Sequence, residues 1–366
     1  MTNPLSTDLD HILQHTEDLW ADLRGERIFL TGGTGFVGCW LLESLLWANR
    51  RLNLGVRCSI LTRNPAVFLS RRPHQAGDGA GTRSTGDAAT FPFPAGTFSL
   101  MIHAATERYR PADAASPASN FPRDIAATER VLQLAARSRT RRFLFTSSGA
   151  VYGKQPPAMT HIPEEYAGAP CTTDATSAYA QSKRASEFLC ASYARSCGFN
   201  AAIARLFAFV GPYLPLDEQY AVGNFLRDTL AGGPVRIAGD GTPHRSYLYA
   251  ADLAIWLWTI LMRAPSAVPF NVGSAEDITI ADLARRVVEV TAPGTAIQVA
   301  RRAMPGTPPQ RYVPAIDRAQ DELGLQVWTP LEEGLRRTWN WHRSEPASCV
   351  APLHHETEFA HKVAVS

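Results

Sequence analysis

The chain has 366 residues, 45% hydrophobic and 19% charged, the balance of a globular enzyme with length for one large domain or two. A formal net charge of +2 without any lysine-rich run excludes the electrostatic footprint of a nucleic-acid binder. The amino terminus lacks the basic and apolar regions of a signal peptide, and the longest apolar run, 253–262, is too short to span a bilayer. A soluble, cytoplasmic protein without membrane contact is therefore expected.

Residues 7–24 show an apolar stripe of Leu9, Ile12, Leu13, Leu19 and Leu23, which predicts an amphipathic helix docked on the core or on a partner subunit. The apolar stretch Ile28-Phe-Leu30 then runs into Thr31-Gly-Gly-Thr-Gly-Phe-Val-Gly38, and Trp40, Leu41, Leu42, Leu45 and Leu46 recur with helical spacing. This reads as strand, glycine turn and helix. Gly33-x-Gly35-x-x-Gly38 fits a dinucleotide fingerprint, and Gly32-x-x-Gly35-x-x-Gly38 fits its wider-spaced form. Glycines there permit a tight turn and let the backbone approach a pyrophosphate at the positive end of a helix.

The next strand, 56–61, ends in Thr62-Arg63 where an acidic residue would bind the ribose hydroxyls of NAD. A small hydroxyl and a fixed cation suit a ribose 2′-phosphate better, which predicts NADP(H) over NAD(H). Residues 70–98 are rich in Gly, Ala, Arg, Ser and Pro and predict a loop with one short weak strand. From 99 to 206 strand and helix patterns alternate, as a parallel sheet requires, with strands at 143–146 and 201–206 and a helix over 179–194. On that helix Tyr179 and Lys183 are four residues apart and share one face. A cation beside the phenol favours the phenolate, so Lys183 is expected to lower the Tyr179 pKa and fit it for proton transfer.

Beyond Pro212 the pattern shortens and gains proline, consistent with a smaller lobe. The run 253–262 is expected as a buried helix, with Trp256 and Trp258 in the core, and 280–290 and 331–341 as helices of the lobe. From Ser344 onward periodicity is lost, and His354, His355 and His361 belong to a solvated tail rather than a metal site. The six cysteines (Cys39, Cys58, Cys171, Cys190, Cys197 and Cys349) show no CxxC or metal-like spacing, so free thiols and no metal are expected.

The glycine loop, the Ser/Thr strand Phe143-Leu-Phe-Thr-Ser-Ser-Gly-Ala-Val-Tyr-Gly153 and Tyr179-x-x-x-Lys183 together resemble the extended short-chain dehydrogenase/reductase family, in its nucleotide-sugar-modifying epimerase/dehydratase branch. The similarity runs from about Gly25 to about Trp341. It implies an α/β fold: a Rossmann doubly wound parallel sheet with a smaller, interleaved C-terminal substrate-binding lobe. The implied divisions are an extension over 1–24, a cofactor domain over 25–210 with 233–262 returning to it, a substrate lobe over 211–232 and 263–343, and a tail over 344–366.

The resemblance assigns cofactor binding to Gly32, Gly35, Phe36, Val37, Gly38, Thr62, Arg63, Asp87, His103, Ala104, Ala105, Tyr179 and Lys183. Ser148, Tyr179 and Lys183 become the catalytic set. Ser148, Asn224, Arg245 and Arg311 face the nucleotide-diphosphate sugar, with both arginines on its phosphates. A homodimer through the Tyr179 helix is implied as well.

Three departures narrow the chemistry. Family 4,6-dehydratases carry an acidic pair or Ser-Glu just after the catalytic Ser/Thr, and the decarboxylase branch a similar glutamate, where this chain has Gly149-Ala150. Reduction of a 4-keto-sugar nucleotide by NADPH, or C4 epimerisation with a retained cofactor, is therefore expected over dehydration or decarboxylation. Ala208 replaces a usual asparagine and Ser246 a usual aspartate, which predicts an atypical substrate pocket. A catalytically silent NADP(H) sensor is the remaining alternative of a different class.

Overall fold

The computed structural model describes residues 3–66, 68, 81–106, 117–216 and 220–344. Of the tail expected over 344–366, Ser344 closes a helix and the rest, with its three histidines, lies outside the described residues, as do 70–80 of the loop expected over 70–98, whose short strand is found at Gly81–Thr85. Strands in chain order are β1 (Arg27–Thr31), β2 (Arg57–Thr62), β3 (Gly81–Thr85), β4 (Leu100–His103), β5 (Arg142–Ser148), β6 (Asn200–Leu206), β7 (Phe209–Val210), β8 (Val235–Ile237), β9 (His244–Arg245), β10 (Leu248–Tyr249), β11 (Pro269–Val272), β12 (Ile278–Thr279), β13 (Ile297–Val299) and β14 (Arg311–Tyr312). Helices are α1 (Ser6–His15), α2 (Phe36–Leu52), α3 (Pro117–Ser138), α4 (Ala178–Cys197), α5 (Ala221–Leu230), α6 (Ala250–Arg263), α7 (Ile280–Thr291), α8 (Asp317–Leu323) and α9 (Leu331–Ser344).

A seven-stranded sheet runs in the order β11-β6-β5-β4-β1-β2-β3, and every pair in it is parallel. Strands buried on both faces read as continuous apolar runs, and Ile28 to Thr31 and Leu100 to His103 are all buried. Alternate residues serve opposite faces. Ile28, Leu30 and Leu144 join one core cluster with α2 and α6, while Phe29, Phe143 and Phe145 join a second cluster with α3 and α4. Chain order reverses between β1 and β4, and the crevice at such a switch point is where doubly wound folds bind ligands. Helix α6 is buried along almost its whole length, with Trp256 and Trp258 in the core as expected.

Two expected boundaries change. The seventh sheet strand is β11, so the return to the sheet extends beyond 233–262 into the range assigned to the substrate lobe. Strand β8, by contrast, pairs with β13 in the lobe. The predicted continuous helix over 7–24 is also two pieces: α1 ends at His15, and a 3₁₀ segment covers Glu17–Leu23. Between them the Thr16 hydroxyl donates to the Ile12 carbonyl (2.6 Å) and accepts from the Trp20 indole (3.0 Å). Such back-bonding competes with helix propagation and turns Trp20 inward, 5.1 Å from Trp258.

The extension docks on the chain's own core. Asp8 is buried and accepts from Tyr249 (2.7 Å) and from Arg337 of α9 (2.5 Å). Burial raises the Asp8 pKa despite both donors. Removing this carboxylate leaves the partly buried Arg337 facing Tyr249. Asp8→Ala is expected to lower unfolding stability by ~2–3 kcal/mol, read from the urea midpoint, with cofactor affinity unchanged. An unchanged midpoint would contradict this account of the docking.

Candidate active site

The switch-point crevice opens into a cavity of about 1810 Å³. That exceeds the ~300–1,000 Å³ of a pocket for one small ligand, so two ligands can lie end to end. Its first wall is the glycine turn. Gly32 has φ of +72°, and a Cβ there would lie 2.4 Å from the Ala104 carbonyl carbon. A Cβ on Gly38 would lie 2.1 Å from the Gly32 carbonyl oxygen. Backbone is thus pressed on backbone where a side chain cannot fit. Gly35 caps α2 without a side-chain hydrogen bond, so the first N–H groups of that helix are left for a ligand. Gly32, Gly35, Phe36, Val37, Gly38, Ala104 and Ala105 all line the cavity, as a pyrophosphate cradle requires.

At the far end of β2, Thr62 is buried and Arg63 exposed, and both line the cavity with Asp87. Burial opposes charge on Asp87, but hydrogen bonds from Arg123 (2.6 Å) and the Ala89 N–H (2.9 Å) hold its pKa below the usual value. Arg123 was not singled out in the sequence because nothing in α3 marks it as facing a ligand. His103 is placed differently from expectation. Its ring is buried, bonded to Thr31 (2.7 Å) and Thr128 (3.2 Å), and does not line the cavity. Burial and the nearby Lys183 charge push its pKa down to about 3, so it braces β1 and α3 as a neutral ring.

Ser148 at the end of β5 and Tyr179 and Lys183 on α4 meet in the middle of the cavity. The Lys183 ammonium donates to the Thr146 carbonyl (2.8 Å) and lies 5.8 Å from the Tyr179 ring centre. Burial lowers its pKa to about 8 against the opposing charge of Asp124. Tyr179 departs from expectation. Burial pushes its pKa well above the usual range, and the main opposing effect is a hydrogen bond with Ser148 rather than the lysine. The physical reason is that the cost of burying a phenolate in this crevice outweighs the help of its neighbours.

Arg245 and Arg311 line the same cavity on the adjacent strands β9 and β14. Arg311 is ion-paired with Asp277, which also holds His244 at 2.6 Å. Asn224 does not line the cavity; its side-chain oxygen accepts from Arg227 (3.1 Å). Ala208 lines it, whereas Ser246 is fully buried and off it, so that departure belongs to the core. Gly149 also has a spatial reason. A Cβ there would sit 2.6 Å from the Phe207 ring, which fills the space beside Ser148. Phe207 and Tyr312, with ring centres 4.7 Å apart, form an aromatic wall that the sequence did not disclose, because each lies far along the chain from Ser148.

The NAD dependent epimerase/dehydratase family model matches residues 28–273. UDP-glucuronic acid decarboxylase 1 of Arabidopsis thaliana is 30% identical over 326 residues, covering 85% of this chain and 68% of that protein. UDP-glucuronic acid decarboxylase 1 of Xenopus tropicalis is 28% identical, covering 87% and 73%. Among solved structures, UDP-glucose 4-epimerase of Thermotoga maritima aligns with a TM-score of 0.72 at 20% identity, covering 87% of this chain and 98% of that one. The dTDP-glucose 4,6-dehydratase of Streptomyces venezuelae, solved with NAD, aligns with a TM-score of 0.73 at 22% identity, covering 87% and 97%.

The glycine cradle generates a direct test. Gly38→Ala forces a methyl group onto the Gly32 carbonyl, an overpacking of ~1–3 kcal/mol that the turn can relieve only by moving. Nicotinamide-dinucleotide affinity, measured by fluorescence titration, is expected to fall at least tenfold. Wild-type affinity would refute the cradle.

Proposed function

The chain belongs to the NAD dependent epimerase/dehydratase family, and we propose that it is an NADPH-dependent reductase of a 4-keto-sugar nucleotide, acting at C4 of a nucleoside-diphosphate hexose. The observation that carries this reading is the convergence of Ser148, Tyr179 and Lys183 in a cavity where the Phe207 ring packs against Gly149, the position of the missing acid. The relatives named as decarboxylases and dehydratases share the fold and the family. Directly after Ser148 this chain carries Gly149-Ala150 in place of an acid that could perform the additional proton transfers of a dehydration.

A bound nicotinamide would supply the hydride to the sugar C4. The chain's residues do the rest. Tyr179, held protonated by burial, donates its proton to O4 as the carbonyl becomes a hydroxyl. Ser148 donates a hydrogen bond to the same oxygen and stabilises the charge that develops there. Lys183 fixes the nicotinamide ribose and keeps a positive charge near the phenol. Arg245 and Arg311 meet the diphosphate. Arg63 and Arg123 at the adenosine end outnumber Asp87, which supports a 2′-phosphate and hence NADP(H), with NAD(H) as the alternative. Phe188, 72% exposed on α4, supports a homodimer.

A second reading is a 4-epimerase with retained cofactor. It uses the same three side chains, and the roomy cavity supports turning of a keto intermediate. It must begin with Tyr179 deprotonated, which the burial of this phenol opposes.

With a panel of UDP-, dTDP-, GDP- and CDP-hexoses and their 4-keto forms, one NADPH is expected to be consumed per hydroxy sugar formed. Epimerised product without net NADPH loss would replace the reductase reading by the epimerase. Tyr179→Phe should lower kcat by ~10²–10⁴-fold, the usual worth of a positioned general acid. Near-normal turnover would remove Tyr179 from the mechanism. The Lys183 charge is present below its depressed pKa and lost above it, so kcat/KM is expected to fall as pH rises through about 8. A profile flat to pH 10 would show that this charge is not needed.

A further inference from the structure

We infer that Tyr312 is a positioning residue for C4 chemistry, acting through Ser148. This rests on the redox reading of the site given above. The Tyr312 hydroxyl lies 3.4 Å from the Ser148 Oγ and 3.4 Å from the Leu206 carbonyl oxygen. The ring is held for that purpose: it packs on Phe207, and the β9–β14 register sets it beside Arg245, whose guanidinium carbon is 5.9 Å from the ring centre.

Hydrogen-bond accounting gives Tyr312 its role. A serine hydroxyl has one proton and two lone pairs. One lone pair of Ser148 already accepts the Ala150 N–H at 3.1 Å, in the cap of the short 3₁₀ turn that follows β5. Ser148 also bonds Tyr179. Once Tyr179 turns to the substrate oxygen and Tyr312 donates to the second lone pair, the single Ser148 proton is left for the oxygen at the reacting carbon. Both Tyr312 bonds are long, so the phenol is a donor in reserve between two acceptors. As negative charge grows on O4, Ser148 donates more strongly and its own oxygen becomes the better acceptor. The Tyr312 proton then shifts from Leu206 to Ser148, and the chain of hydrogen bonds strengthens together. Tyr312 exchanges no proton with substrate. Burial holds its pKa up at about 12, so it remains a donor across the working range of the enzyme.

Tyr312→Phe deletes the hydroxyl and keeps the ring against Phe207. On the sugar-nucleotide panel it is expected to lower kcat about tenfold, the worth of one hydrogen bond to a charged group, with KM and NADPH affinity nearly unchanged. In a Ser148→Ala background the same change should cost almost nothing, because the group it acts through is gone. A merely structural role would instead give losses that multiply. The thermal midpoint of Tyr312→Phe serves as the folding control, and Tyr312→Leu, which removes ring and hydroxyl together, should lower kcat at least as far while also lowering that midpoint. Wild-type kcat in Tyr312→Phe, or full multiplication with Ser148→Ala, overturns the inference. If Ser148→Ala and Tyr179→Phe themselves turn over normally, or the wild type turns over no member of the panel, the reading of the site falls and this inference with it. If those two variants are crippled while Tyr312→Phe is not, the role of Tyr312 alone falls.

Discussion

Everything in this molecule that concerns a ligand depends on one backbone-to-backbone approach. The turn after β1 is pressed against the end of β4 and the first turn of α2 so closely that neither Gly32 nor Gly38 could carry a β-carbon. That contact sets the crevice at the switch point, aims the open amides of α2 into it, and fixes how far the end of β5 stands from the cradle. The wall that carries Ser148 is then built from β5, already in register with β4, while Arg245, Arg311 and Tyr312 are brought in by the separate β12-β9-β14 sheet.

The catalytic half obeys a different constraint, that of charge in a poorly hydrated place. Lys183 keeps its ammonium by pairing it with a carbonyl and with the field of Asp124, and still loses part of its basicity. His103 surrenders its charge entirely and serves as a spacer. Tyr179 is held as an acid. Three titratable groups, two lining the crevice and His103 behind it, thus have their protonation decided mainly by burial, with neighbours adjusting the result.

What the chain disclosed in one dimension was whatever local spacing encodes. The strand, glycine turn and helix at 28–46 and the Tyr179-Lys183 pair are set by neighbours in sequence, and the parallel sheet follows from alternating elements. What it hid was contact between distant segments. Phe207 against Gly149, Tyr312 against Ser148 and Arg123 against Asp87 are pairs that only tertiary packing makes. The same blindness misplaced His103 and Asn224, whose types suit a site but whose side chains are committed elsewhere. The break at Thr16 was missed for a subtler reason: the apolar stripe continues through it, while one hydroxyl bonded back to Ile12 ends the helix.

The clasp of Asp8 with Tyr249 and Arg337 joins positions separated by up to 329 residues. Chains grow from their amino end at about 5–20 residues per second, so the first helix leaves the ribosome long before its guanidinium partner exists. Asp8 therefore lacks its guanidinium partner throughout synthesis of the sheet, although the apolar stripe of α1 already has α2 to pack on. Among the described residues the last helix is also the one that locks the first, so the clasp closes only after Arg337 has been made.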